Sequence, residues 1–408
     1  MNTHSINQPN RTTIKWLTYL MFMMFAMTTD AVGVIIPEVM KEFNLNMTTA
    51  GMMHYMPMIA IALSGVLLGF LADKLGRKAT IIIGLIVFAA NSYLYIIASS
   101  YGFILTLMAI GGLSIGVFKT GALALIGDFC RSTKQHTSTM NAVEGFFAVG
   151  AIIGPFVVTY FLSENVKWQW LYVVAGSLCV ALIIMASLVK YPETKKTTQK
   201  PVNLSGTLSM LKDPYALGFS VGAFLYVAVE CAVYVWMPTL VEKYEGSLIL
   251  IATYSLTIFF VLRASGRFMG VWLLSHFNWS LVLSIFSFLI LLCFLGSVIG
   301  GLEMAIVLLP LSGLFMSVIY PTINSKGISC FPKAKHGSVA GVILFFTAAG
   351  AAIGPLAMGG VSDLFGHNAI YGFVLATVFA ALLFAGTIIN LIFNPTKARL
   401  HQLDQSEY

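Results

Sequence analysis

Residues 148–156 read AVGAIIGPF, and residues 348–356 read AAGAAIGPL, the same run of small residues closed by proline 200 positions later. Gly65 and Gly69 return as Gly266 and Gly270 at an offset of 201. Asp30, seven residues before Pro37, returns as Glu230, eight before Pro238. Small residues four apart let two helices approach closely, so one such run is ordinary packing. Three correspondences at nearly one offset describe a chain built twice. Such repeats place a binding site near the bilayer midplane between halves that rock against each other.

Around these runs the chain falls into twelve apolar stretches, at about 16–37, 49–71, 79–98, 102–126, 138–162, 169–189, 215–238, 248–270, 279–299, 302–325, 337–361 and 369–393. Each is close to the roughly 20 residues that cross a hydrocarbon core as a helix. Of the 408 residues, 58% are hydrophobic and 10% charged, with a mean hydropathy of +0.88. A soluble domain carries about 25% charge, so this composition cannot cover a water-facing surface. Disordered, collagen-like and nucleic-acid-binding classes are excluded on that ground, despite a pI near 9.1. The expected fold is an all-α membrane protein of twelve transmembrane helices in two pseudo-symmetric six-helix bundles. These are residues 1–190 and 215–408, joined by a cytoplasmic linker at 191–214, YPETKKTTQKPVNLSGTLSMLKDP.

Basic residues test the count, because cytoplasmic loops are enriched in Lys and Arg. With both termini inside, 19 of the 23 basic residues fall in inner segments, three (Lys41, Lys167, Lys243) in outer loops, and Lys119 within a span. Arg263 and Arg267 are counted among the inner ones. The expected location is therefore the inner or plasma membrane, multi-pass, with cytoplasmic termini. MNTHSINQPNRTTIKW leads into a full-length span without a small-residue cleavage site, and reads as an uncleaved first helix. The cysteines (Cys130, Cys179, Cys231, Cys293, Cys330) form neither a disulfide framework nor a metal-ligand spacing. No GxxxxGK[ST] run is present and no polar cluster has nucleophile–base spacing, so neither an ATP-driven pump nor an enzyme is expected. A channel is disfavoured by two repeats with occluded charges.

The loop after the second span reads GFLADKLGRK, residues 69–78. Gly69 allows close helix approach and Gly76 a tight turn. Asp73 can accept hydrogen bonds or pair with a cation. Arg77 and Lys78 are expected to anchor the loop to anionic lipid. This run resembles the signature loop of the major facilitator superfamily, and the resemblance covers nearly the whole chain. SGRFMGVWLLSHF (265–277), GLFMSVIYPTINSKGI (313–328), GAAIGPLAMGGVSDLFG (350–366) and the TTDAVGVIIPEV run around Asp30 resemble its fucose–glucose–galactose:proton symporter branch. That resemblance implies uptake of a sugar or sugar-like solute with protons as the coupling ion, no other cofactor, and a monomer as the working unit.

Four ionisable side chains lie deep in spans: Asp30, Lys119, Glu144 and Glu230. Each costs roughly 2.5–3.5 kcal/mol at mid-membrane, so each is expected to face a cavity or a partner. Asp30 is a candidate for proton or substrate binding, the alternative being a structural hydrogen bond. The symporter branch implies a second acid in the fourth helix, where this chain carries Lys119. Lys119 and Glu144 stand equally far from the loop joining their helices, which predicts equal depth and an ion pair. The other reading of Lys119 is a ligand for an anionic solute such as a sugar acid. Phe147, one turn from Glu144, joins the candidate substrate-binding set.

Glu230 has Tyr226 and Tyr234 at i−4 and i+4, an acid between aromatic faces suited to a sugar ring; the alternative places the tyrosines in the interfacial belt. Asp30, Glu144 and Glu230 are the candidate proton carriers. Tyr320 and Asn324 flank Pro321, where freed carbonyls make a candidate polar lining. Arg263 and Arg267 are placed as gating or snorkelling residues near the inner end of the eighth helix, alongside Gly69, Asp73, Gly76, Arg77 and Lys78 as conformational elements. The GxxxGP runs ending at Pro155 and Pro355 are expected to bend their helices. The first partly resembles a motif of drug:proton antiporters, which leaves export of a metabolite or drug as the alternative direction; a sugar uniporter is the other alternative.

Overall fold

The computed structural model of the chain describes residues 8–68, 74–129, 133–191, 210–331, 336–397 and 399–400. Among the described residues the secondary structure is helical, with no strand. Among the described residues, ten helical stretches are long and apolar enough to cross a membrane. Helix Met52–Leu68 supplies a further crossing. The 51-residue stretch Trp279–Ser329 supplies two, because its first helix, Trp279–Met316, breaks at Gly301 with φ +67° and ψ −159°. Only glycine enters that region without strain. The chain thus forms the expected twelve-helix, all-α membrane fold.

The chain divides into two compact units: Met1–Asn44 with Met52–Thr198, and Leu45–Gly51 with Gln199–Tyr408. The first contains α1 (Gln8–Thr29), α2 (Val32–Phe43), α4 (Met52–Leu68), α5 (Arg77–Leu94), α6 (Tyr101–Phe129), α7 (Thr133–Ser163) and α8 (Trp170–Leu188); the intervening α3 (Met47–Ala50) belongs to the second. Its core is aromatic at the centre: Phe25 is fully buried, 4.6 Å from the ring of Phe118 and 4.7 Å from that of Phe88. The second unit adds α9 (Pro214–Cys231), a π-helical turn at Ala232–Trp236, α10 (Met237–Val241), α11 (Ile249–Thr253), α12 (Ser255–His276), α13 (Trp279–Met316), α14 (Ile319–Ser329), α15 (His336–Leu364) and α16 (Ala369–Phe393). Asp213 starts α9 by accepting from the backbone N–H groups of Tyr215 and Ala216, with Pro214 in the first turn, as helix N-termini favour. Arg399 returns to the same carboxylate at 3.1 Å.

The sequence repeat is a repeat of contacts. A Cβ at Gly150 would meet the carbonyl oxygen of Met23, and one at Gly154 that of Met27. At Gly350 it would meet the Phe224 carbonyl oxygen at 2.6 Å, and at Gly354 the Ala228 Cβ at 2.7 Å. In both units the duplicated run is where α7 or α15 lies backbone to backbone on the helix that opens the unit. Pro155 and Pro355 lie within α7 and α15, next to this close packing. Of the second glycine pair, Gly266 faces the Leu314 carbonyl and Gly270 the side chain of Val318. Gly69 lies outside the described residues, as does the side-chain environment of Gly65.

The chain breaks where its repeats carry their acids. Asp30 and Ala31 form a turn between α1 and α2. Thr28 and Thr29 both donate their hydroxyls back to the Phe25 carbonyl, at 2.9 and 3.2 Å, a bond that bends helices. Pro37, inside α2, removes the N–H that the Gly33 carbonyl would accept. In the second unit the π-helical turn begins one residue after α9 ends at Cys231, and Pro238 follows it. A third interruption, Ser317–Val318, separates α13 from α14 just before Pro321.

The glycine seam makes a stability prediction. Gly154→Val should destabilise the protein by about 1–3 kcal/mol through overpacking, whereas Gly102→Ala, which meets nothing within 4 Å, should be nearly silent. Thermal unfolding of the detergent-purified variants measures both, and equal midpoints would contradict the seam.

Candidate functional site

In the first unit, the break between α1 and α2 holds Asp30 beside Thr29, whose single hydroxyl proton is shared between the Phe25 carbonyl at 3.2 Å and Asp30 Oδ2 at 2.8 Å. Lys119, on α6, feels the charges of Glu144 first and Asp30 second. Its ammonium sits 5.5 Å from the ring centroid of Phe147, within cation–π range. Glu144 and Phe147 stand three residues apart on α7 and so share a face. Asp30 and Lys119 are half-buried and Glu144 is exposed. Two acids and one base are therefore electrostatically joined from three helices.

In the second unit Glu230 is 7% exposed. Its Oε1 accepts from Arg263 Nη2 at 2.6 Å and from the Tyr226 hydroxyl at 2.7 Å. The same hydroxyl lies 2.9 Å from the Met316 carbonyl at the end of α13, so its single proton is shared between two acceptors. Tyr226 stacks on Tyr320 of α14, centroids 6.2 Å apart and planes at 21°. This network ties four helices together (α9, α12, α13 and α14) beside the π-helical turn and the α13–α14 interruption. Irregular backbone of this kind frequently marks functional positions.

Several sequence expectations are revised by this geometry. Arg263, counted with the inner basic residues, lies eight residues inside α12 and pairs with Glu230. Arg267 is close enough to act on the Tyr226 hydroxyl together with Arg263. Tyr234 was placed on the Glu230 face by a 3.6-residue period. The π-helical winding from Ala232 departs from that period, and the Tyr234 hydroxyl sits 2.8 Å from Cys231 Sγ. Asn324 is half-buried on α14. Lys78, expected to face lipid, donates to the carbonyls of Ser187 and Val189 at 2.9 and 2.8 Å, where it complements the negative end of α8. Arg77 is buried, and Gly76 adopts φ +87°, a conformation that favours glycine. Asp73, like Gly69, lies outside the described residues.

One polar cluster was not anticipated. Asp363, near the end of α15, accepts from the backbone N–H groups of Met47 and Thr48 at 3.0 and 2.8 Å, and from the Thr48 hydroxyl. His367 Nδ1 lies 2.9 Å from Oδ1, the oxygen that also accepts from Met47. No local pattern signals a bond between residues more than 300 positions apart.

Residues 18–355 match the Major Facilitator Superfamily, and the chain belongs to that family of membrane transporters. It is 27% identical over 399 residues to the L-fucose-proton symporter of Escherichia coli (strain K12), covering 89% of this chain and 90% of that protein. It is 25% identical over 388 residues to the quinolone resistance protein NorA of Staphylococcus aureus (strain MRSA252), covering 91% and 94%. Its fold matches the inward-facing, unoccupied crystal structure of a bacterial homolog of the human lysosomal transporter Spinster, with a TM-score of 0.77 at 14% identity over 97% of this chain and 99% of that one.

The Glu230–Arg263 pair generates a prediction. Removing one partner of a buried pair leaves an uncompensated charge and costs about 3–5 kcal/mol, whereas removing both costs much less. Arg263→Met should therefore lower the thermal midpoint more than Arg263→Met combined with Glu230→Gln. Additive losses in this double-mutant cycle would show that the two do not depend on each other.

Proposed function

We propose that this protein is a proton-coupled secondary transporter that imports a sugar or sugar-like solute by alternating access, in an inner or plasma membrane with both termini cytoplasmic. The observation that carries the reading is the Asp30 break: an acid held at an interrupted helix, within electrostatic reach of Lys119, on which Glu144 also acts. A carboxylate there can take up a proton without a stranded charge, because its neutral form leaves Lys119 with Glu144 as counter-ion. Glu230 is bonded by Arg263 and Tyr226, a network that suits it to holding helices together. Tyr320, half-buried and stacked on the buried Tyr226, offers an aromatic face for a sugar ring. The similarity to the L-fucose-proton symporter supports this direction and coupling.

Export is the second reading, favoured by the similarity to NorA. The fifth-helix run that suggested it recurs in both units as a packing seam, so that run carries no weight for export over import.

Asp30→Asn should abolish uphill accumulation, so that the internal solute concentration never exceeds the external one, while solute exchange across the membrane persists. Proteoliposome uptake with and without an inward proton gradient measures this. Undiminished accumulation in the variant would remove Asp30 as the proton carrier.

A further inference from the structure

The loop GFLADKLG (69–76) has a second copy in this chain. Gly69, Asp73 and Gly76 stand four and three residues apart, and GGVSDLFG (359–366) repeats those intervals with Gly359, Asp363 and Gly366. Both closing glycines are left-handed, Gly76 at φ +87° and Gly366 at φ +77°. The first copy follows the second span and lies on the side of the N-terminus. The second follows the eleventh span and lies on the opposite side, the outer face in the reading above. What the second copy holds is a piece of the chain. Asp363 accepts from the backbone N–H groups of Met47 and Thr48 at 3.0 and 2.8 Å, and from the Thr48 hydroxyl. Gly359 makes the room, since a Cβ there would lie 3.1 Å from the Trp236 ring and 3.3 Å from the Thr48 nitrogen. The segment so held, Leu45–Gly51, packs in the second unit and is joined at both ends to the first.

We propose, resting on the alternating-access reading above, that the second copy is a lock on the outer face: Asp363 holds the segment Leu45–Gly51 while that face is closed and releases it each time the face opens. The reason is the shortness of the connections. Residues 44–46 alone join α2 to α3, and Gly51 alone joins α3 to α4. One residue spans at most about 3.3–3.6 Å. Asn44 is further committed to capping α2, its N–H bonded to the Met40 carbonyl. An opening motion that carries the outer ends of α2 and α4 away from α15 therefore pulls directly on the bonds to Asp363. Those bonds can break and re-form in every cycle, because outer water receives the released N–H groups. His367 lies on the same element as Asp363, 2.9 Å from Oδ1, and stays beside the carboxylate after the segment has left. The charge of Asp363 makes its bonds stronger than those of a neutral acceptor, so the lock favours the closed outer face in the empty protein.

The test needs neither solute nor proton gradient. Full-length protein in lipid nanodiscs carries spin-label pairs at exposed positions, Lys41→Cys with Lys243→Cys for the outer face and Lys190→Cys with Ser329→Cys for the inner. Cys130 is replaced by serine, and the other four cysteines are buried. Double electron–electron resonance reads the distribution of distances in each pair. Asp363→Ala should raise the ratio of long to short outer separations about tenfold, the factor that one bond to a charged group supplies. The inner pair should shift toward short separations in the same variant, which a merely local loosening would not produce. Gly359→Val, which crowds the held segment and leaves the carboxylate in place, should move both pairs in the same directions. Gly102→Ala should move neither. Distributions that Asp363→Ala and Gly359→Val leave at the wild-type ratio would overturn the lock and leave alternating access standing. So would an outer shift with the inner pair unmoved. Inner and outer pairs that lengthen together would bring down the alternating-access reading along with the lock.

Discussion

A charge inside a helix surrounded by hydrocarbon has to be answered by an opposite charge, a hydrogen-bond donor or a proton, and most of the irregular features of this protein stand where that answer is given. The turn between α1 and α2 presents Asp30, and the π-helical turn follows directly on Glu230. The end of α13 offers the Met316 carbonyl to the hydroxyl that bonds Glu230. Regular helices carry the rest of the chain across, because they satisfy their own backbone. At these three places the irregular backbone stands beside an embedded acid or the groups that bond it. The two units answer differently: the first leaves two acids around one lysine, and the second locks its acid between an arginine and a tyrosine.

Much of the fold was legible because it rests on periodic or duplicated signals. Twelve apolar stretches gave the helices, and the offset shared by Gly150, Gly154, Gly350 and Gly354 marked a seam before any contact was seen. Its packing role was not legible, since sequence shows a proline and a glycine without showing which backbone lies against them. Equal depth on neighbouring helices predicted an ion pair of Lys119 with Glu144, and in the structure the Glu144 charge acts on Lys119. Arg263 did not follow, because loop counting places a basic residue by its nearest helix end and is blind to an acid on another helix. Tyr234 was assigned with a helical period that the backbone abandons at Ala232. Lys78 was read as a lipid anchor, although the carbonyls it meets belong to a helix end 109 and 111 residues away.

Membership in the Major Facilitator Superfamily leaves direction and solute open, since symporter and drug-resistance proteins match this chain at similar identity. Fold does not decide among such functions; the embedded side chains do. Where the symporter resemblance leads one to look for an acid in the fourth helix, this chain has a lysine, and that exchange alters the electrical balance of everything the protein can carry.

The segment Leu45–Gly51 packs within the second unit, although both helices that flank it belong to the first. Its anchor, Asp363, is 315 to 316 residues further along the chain. At roughly 5–20 residues per second, synthesis leaves that segment waiting for about 15–60 s with its amide groups unclaimed. The second half of the protein therefore cannot finish its own assembly from its own stretch of polypeptide. It must recover a piece that was inserted with the first, so membrane insertion order and folding order part company at this point, and a chain severed in the central linker would have to re-form the bond between two separate polypeptides.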